Sequence, residues 1–199
     1  MISAKIGHAL DPAFLKIYSL FFKNKVINPN VFTIAGMVFA IISSFCIAFG
    51  FLQFGAIFLF VSGFFDLMDG ALARNTGNVT IFGAFLDSVL DRYSDLFIMF
   101  GLFIFFAMQG DTLYAILTFF ASIGIAIIPY AKARAEASSI QCNTGILERP
   151  ERLIILFIGL LFNLLPYVII ILAVLTHVTV IQRILFVKKS TNPIKGKFQ

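Results

Sequence analysis

Six apolar runs divide this chain of 199 residues, and most are long enough to cross a bilayer as helices, which takes about 20 residues. They lie near 31–51, 54–74, 80–107, 112–135, 151–165 and 167–187. The fifth is short, and only Leu165, Pro166 and Tyr167 separate it from the sixth. With 60% hydrophobic and 13% charged residues, the chain is too apolar for a soluble domain of this size. The expected fold is all-α: one integral membrane domain over 1–199, with a six-helix transmembrane bundle over 29–187. Before it, Asp11-Pro12 reads as an N-cap followed by proline in a first turn. The stretch after it sets lysines against aromatics, which predicts an amphipathic interfacial helix within 1–28, the alternative being a disordered lead. No cleavable signal peptide is expected, and the basic tail over 188–199 reads as flexible.

The charges test this topology. All 15 Lys and Arg residues fall on one side of a six-span arrangement, and the loops near Gln53, Asp111 and Pro166 carry none. By the positive-inside rule both termini are cytoplasmic. The net charge of +5 then reflects topology and an anionic lipid or substrate, and no nucleic-acid partner is expected. Cys46, in the first span, and Cys142, in a cytoplasmic loop, are expected to be reduced and unpaired.

Against this background the stretch DLMDGALARNTGNVTIFGAFLDSVLD, from Asp66 to Asp91, stands out. Ionisable residues in a membrane are costly and mark function. Asp66 and Asp69 share one helix face, and Asp87 and Asp91 share a face of the next. The turn-forming loop Asn75-Thr76-Gly77-Asn78 folds the two segments into an antiparallel pair. Asp69 and Asp87 then lie at nearly equal depth, with Asp66 and Asp91 about one turn deeper, so the four carboxylates can face one another. Four like charges a few ångströms apart in a medium of low dielectric need cations. With oxygen donors only, Mg²⁺, Mn²⁺ or Ca²⁺ is favoured over Zn²⁺, and a pair of such ions suits displacement at phosphorus.

The pattern D-x2-D-G-x2-A-R-x8-G-x3-D-x3-D, carried by Asp66, Asp69, Gly70, Ala73, Arg74, Gly83, Asp87 and Asp91, resembles the CDP-alcohol phosphatidyltransferase family. The resemblance implies that Asp66, Asp69, Asp87 and Asp91 hold two Mg²⁺ or Mn²⁺ ions and that Asp91 is also the general base. It implies that Gly70, Ala73, Gly83, Arg74 and Thr80 admit the cytidine diphosphate, with Asn30 and Thr33 at the mouth of the first span as further contacts. The chemistry agrees, since an attacking hydroxyl must lose its proton to a nearby carboxylate. Asp95 lies one turn beyond Asp91, outside the pattern, and reads as an i,i+3 partner of Arg92. The family also tends to form homodimers, which the Phe-rich outer surfaces allow.

The acceptor must be read elsewhere. KARAEAS followed by ERPERLII, within 129–155, resembles the branch of the family that makes phosphatidylinositol phosphate or its ether-lipid counterpart archaetidylinositol phosphate. That resemblance implies a basic pocket for inositol 1-phosphate formed by Lys132, Arg134, Arg152 and Arg183, with Glu148 and Glu151 orienting the arginines. A phosphate suits converging Lys and Arg groups. The donor would be a CDP-lipid drawn from the membrane. The competing readings keep the chemistry with glycerol 3-phosphate or serine as acceptor, or with inositol phosphate as acceptor and CDP-inositol as donor, and the competing class is an ion-coupled transporter. If the cluster works through divalent ions, excess EDTA should abolish phosphatidyl transfer and Mg²⁺ or Mn²⁺ should restore it; full turnover in EDTA would refute the reading.

Overall fold

The computed structural model describes residues 28–75 and 79–191. The expected interfacial helix, the middle of the loop between the two acidic segments and the end of the basic tail lie outside the described residues. Those residues form six helices and no strand. They are α1 (Pro29–Ala48), α2 (Leu52–Asn75), α3 (Ile81–Met108), α4 (Thr112–Glu136), α5 (Arg149–Leu161) and α6 (Leu165–Thr191).

Local signals set the helix starts. The Asn28 side chain accepts a hydrogen bond from Asn30 N at 3.0 Å, and Pro29, whose missing N–H costs nothing in a first turn, opens α1. Thr80 caps α3 in the same way, its hydroxyl accepting from Gly83 N at 2.9 Å. Pro150 occupies the first turn of α5. The ends of α1 and α3 run into Gly50 and Gly110, both with positive φ.

Helix α1 packs against α2 and α3, α3 against α4, α4 against α6, α2 against α5, and α5 against α6. The main core between them includes Ile47, Leu59, Leu102, Phe106, Leu160 and Leu172. A smaller cluster of Phe32, Met68, Ala71 and Leu72 lies at the acidic end of α1 and α2. Buried hydroxyls tie the helices together, as membrane helices use them: Ser43 Oγ donates to Gly55 O at 2.7 Å and Ser44 Oγ to Phe97 O at 2.5 Å. The outer surface exposes Phe45, Phe49, Phe54, Phe60, Phe100 and Phe119, an apolar coat that suits lipid.

Each expected span has a helix, with shifted bounds. Four of them, α1, α2, α4 and α6, are long and apolar enough by themselves to cross a membrane. Helix α3 is 28 residues long but carries Asp87, Asp91, Arg92 and Asp95 within its first 15 residues. Helix α5 has 13 residues, about 20 Å at ~1.5 Å per residue, so it falls short of a full hydrocarbon crossing. The turn between α5 and α6 comes earlier than the sequence suggests, because Asn163 takes up the left-handed conformation (φ 56°) and Pro166 sits inside the first turn of α6.

Close approach of α1 and α3 depends on Gly101, where a Cβ would stand 2.5 Å from Ser44 O. Gly101→Leu should therefore destabilise the bundle by about 1–3 kcal/mol, the usual cost of overpacking. Thermal unfolding in detergent reads this directly, and an unchanged midpoint would show that the two helices separate at no cost.

Candidate active site

Helix α2 contributes Asp66 and Asp69, and α3 contributes Asp87, Asp91 and Asp95. Space for the first of them comes from α1: a Cβ on Gly36 would meet Asp66 Oδ1 at 2.6 Å. Thr33, one helical turn earlier on α1, is buried and faces Asp69. Asp87 lies beside Asp91. The carboxylates expected to face one another across the helix pair do come together.

An arginine from a third helix enters this cluster. Arg149, the first residue of α5, places Nη2 2.7 Å from Asp66 Oδ2 and Nη1 2.7 Å from Asp91 Oδ1, with Nε 3.7 Å from Asp95 Oδ1. One turn on, Arg152 donates from Nη2 to Asp95 Oδ2 at 2.5 Å. A guanidinium fork matches carboxylate geometry and remains charged when partly buried, so it can compensate a cluster of limited water access.

The oxygen-only donor set fits a hard divalent cation. Asp69 Oδ2 is buried without a hydrogen-bond partner, an acceptor that such an ion would satisfy. Among the described residues no three acidic, His or Cys groups already converge as a cation cage, and the guanidinium of Arg149 lies between Asp66 and Asp91. The donor types nevertheless suit a hard divalent cation.

On the side facing the loop between α2 and α3, Gly83 lies against Thr80 Oγ1 and Asn30 Oδ1, which a Cβ would meet at 2.9 and 3.2 Å. Asn30, Thr80 and Gly83 are thereby gathered at one place. The Arg74 guanidinium folds over Gly70, 3.1 Å from where a Cβ would stand, and Ala73 is half-buried beside it. Small residues here let a ligand approach the backbone.

On the other side of Asp91 opens a cavity of about 210 Å³ lined by Asp91, Asp95, Lys132, Arg149, Arg152 and Arg183, among others. Arg183 is buried and largely committed: Nε donates to Thr144 O at 2.8 Å, Nη1 to Ile128 O at 2.5 Å, and Nη2 lies 3.7 Å from Glu148. Its partner Ile128 directly precedes Pro129, which sits inside α4. Gly145, with φ 147°, passes close to Arg183 in a conformation that side-chain-bearing residues rarely adopt. Lys132 is half-exposed, and among the described residues it forms an ion pair with Glu136 at 4.0 Å. Arg134 is exposed in the last turn of α4 and does not line the cavity.

Two expectations need correction. Asp95 pairs with Arg152 and Arg149, not with Arg92, whose Nη1 donates to Ser88 O instead. Two guanidinium groups brought by another helix outcompete a single neighbour along α3. Glu151, expected to orient an arginine, has a buried Oε2 with no hydrogen-bond partner, whereas Glu148 does lie near Arg183. The sequence reading missed Arg149 as a member of the acidic cluster. A signal existed, since Arg149 and Arg152 are three apart and Asp91 and Asp95 four apart, opposite charges at matching helical spacing. Gly36 carried no such signal.

The arrangement joins an acidic cluster, a small-residue approach and a basic cavity within a helical membrane protein. The chain belongs to the CDP-alcohol phosphatidyltransferase family, whose profile matches residues 26–184. It is a membrane transferase of phospholipid biosynthesis, and the transporter alternative falls. Over 164 residues it is 40% identical to the archaetidylinositol phosphate synthase of Pyrococcus horikoshii, covering 82% of this chain and 85% of the relative. It is 37% identical over 138 residues to the phosphatidylinositol phosphate synthase of Mycobacteroides abscessus, covering 68% of this chain and 63% of that one. The fold is similar to crystal structures of the Mycobacterium tuberculosis phosphatidylinositol phosphate synthase at 32% identity. The TM-score is 0.76 for the form with CDP-DAG bound, covering 92% of this chain and 94% of that one. It is 0.77 for the complex with manganese and citrate, covering 92% and 88%.

Gly36→Val should push Asp66 from its place without disturbing the core, and a misplacement of ~1 Å can cost about 10²-fold in turnover. The check is CMP release by protein that still elutes as folded material in detergent. Undiminished release would show that Gly36 does not position Asp66.

Proposed function

We propose that this chain transfers a phosphatidyl-type group, built on diacylglycerol or archaeol, from a CDP-lipid to inositol 1-phosphate and releases CMP. The observation that carries the reading is the basic cavity joined to the acidic cluster through Asp91 and Arg149. A phosphorylated acceptor held there would present its hydroxyl beside the carboxylates that manage phosphoryl chemistry. The relatives support it, since those named above are synthases of phosphatidylinositol phosphate or archaetidylinositol phosphate.

In this reading Asp66, Asp69, Asp87 and Asp91 hold two Mg²⁺ or Mn²⁺ ions, which when bound offset the negative charge of the pyrophosphate and of the oxygens exchanging at phosphorus. Asn30, Thr33, Gly70, Ala73, Arg74, Thr80 and Gly83 receive the cytidine diphosphate. Lys132, Arg152 and Arg183 hold the acceptor phosphate, and Lys132, the least committed of them, bears most of the direct contact. Asp91 takes the proton of the attacking inositol hydroxyl as its oxygen bonds to the lipid-side phosphorus. The anhydride bond breaks, and its electron pair leaves with CMP.

We further infer that residues 1–199 act as one domain, that all six helices sit in the membrane after an interfacial N-terminal helix, and that the acidic end and both termini face the cytoplasm. The clustering of Lys and Arg supports that orientation. The lipid-facing Phe residues are compatible with a homodimer.

Three measurements test the reading. The purified enzyme should release CMP from CDP-lipid with inositol 1-phosphate and scarcely with inositol; brisk release with serine or glycerol 3-phosphate and none with inositol 1-phosphate would refute the acceptor. Lys132→Ala should raise the acceptor KM by roughly tenfold to a hundredfold, the worth of a charge-assisted hydrogen bond, and leave the CDP-lipid KM nearly unchanged. Asp91→Asn should keep measurable CDP-lipid binding while turnover falls by about 10²–10⁴; a loss below tenfold would remove Asp91 from the base role.

A further inference from the structure

Arg149 is a poor match for everything around it. Its two Nη groups lie 2.7 Å from one oxygen each of Asp66 and Asp91, yet Asp66 Oδ2 and the Arg149 Nε are both buried without a hydrogen bond, the Nε 3.7 Å from Asp95. One positive charge faces three carboxylates directly, with Asp87 beside them, while the Asp69 oxygen stays unpartnered. Charge compensation is therefore incomplete with Arg149 in place.

The same oxygens, Asp66 Oδ2 and Asp91 Oδ1, lie 2.7 Å from the guanidinium. A guanidinium wedged between the two carboxylates fills the space between them and repels any ion that approaches. Occupancy by Arg149 and by a divalent ion is thus mutually exclusive at that spot. Arg149 also has somewhere to go. It lines the open cavity already described, and it stands at the first position of α5, directly after the non-helical segment 140–148. A long side chain at a helix start can turn without unwinding the helix behind it.

We propose that Arg149 is a built-in counter-cation that holds the Asp66–Asp91 position until divalent ions take it, and that this exchange delivers a free guanidinium to the cavity for the acceptor phosphate. The inference rests on the transferase reading above, in which those carboxylates hold ions. It gives Arg149 a positioning role that couples the two halves of the site: ion loading on one side completes anion binding on the other. It also compensates part of the acidic cluster's charge before the ions arrive.

The test is Mn²⁺ binding by titration calorimetry to purified wild-type and Arg149→Gln protein, with no lipid or acceptor added. Removing the competitor should tighten Mn²⁺ by roughly tenfold to a hundredfold, the range expected when charge-assisted hydrogen bonds no longer have to break. If wild type binds no Mn²⁺, the ion reading of the cluster fails and the exchange with it. If wild type binds and the variant binds equally or more weakly, the exchange alone is overturned. Wild-type protein supplies a second readout that does not depend on the variant folding. Modification of Arg149 by 2,3-butanedione, followed by peptide mass spectrometry, should increase when Mn²⁺ is added, because the guanidinium moves from a buried pair into an open cavity. Unchanged or reduced modification would overturn the proposal.

Discussion

Five carboxylates on two adjacent helices of an apolar bundle set the terms for the rest of this molecule. Removing one partner of a buried charge pair typically costs several kcal/mol, so Asp66, Asp91 and Asp95 need a cation close by. Arg149 and Arg152 meet that need from the start of α5. The short helix that is least able to cross a membrane is thus the one that brings the compensating charge. Its position depends on the segment before it, pinned through Arg183 to Thr144 and Ile128.

That pinning ties three elements together. A side chain from α6 donates to the Ile128 carbonyl within α4 and to Thr144 in the segment before α5. Arg183 therefore serves the architecture of the cavity as much as any ligand within it. Two of its donor groups are already spent on carbonyls, which leaves Lys132 as the cation freest to meet an anion.

The site divides by chemistry along the bundle. Small residues at Gly70 and Gly83 open one approach to the carboxylates, and cations gather on the other. A transferase needs such an arrangement, because donor and acceptor must reach one phosphorus from opposite sides. Asp91, shared by the acidic cluster and the basic cavity, lies where those sides meet.

Much of this was legible in the chain itself. Apolar runs announced six helices, and the spacing of Asp66, Asp69, Asp87 and Asp91 placed each pair on one helix face, since helical periodicity is local and follows from residue order alone. The capping by Asn28 and Thr80 is equally local. What tertiary structure decided were the relations between helices that are distant in sequence. No spacing rule links Arg149 to Asp66, 83 residues earlier, nor Gly36 to the carboxylate it makes room for. Asp95 was assigned to Arg92 because periodicity sees only its own helix, whereas in space two arginines of α5 take it. Residue order determined which faces carry charge and how deep they lie; packing alone decided which opposite charge each of them meets, because that depends on how helices cross.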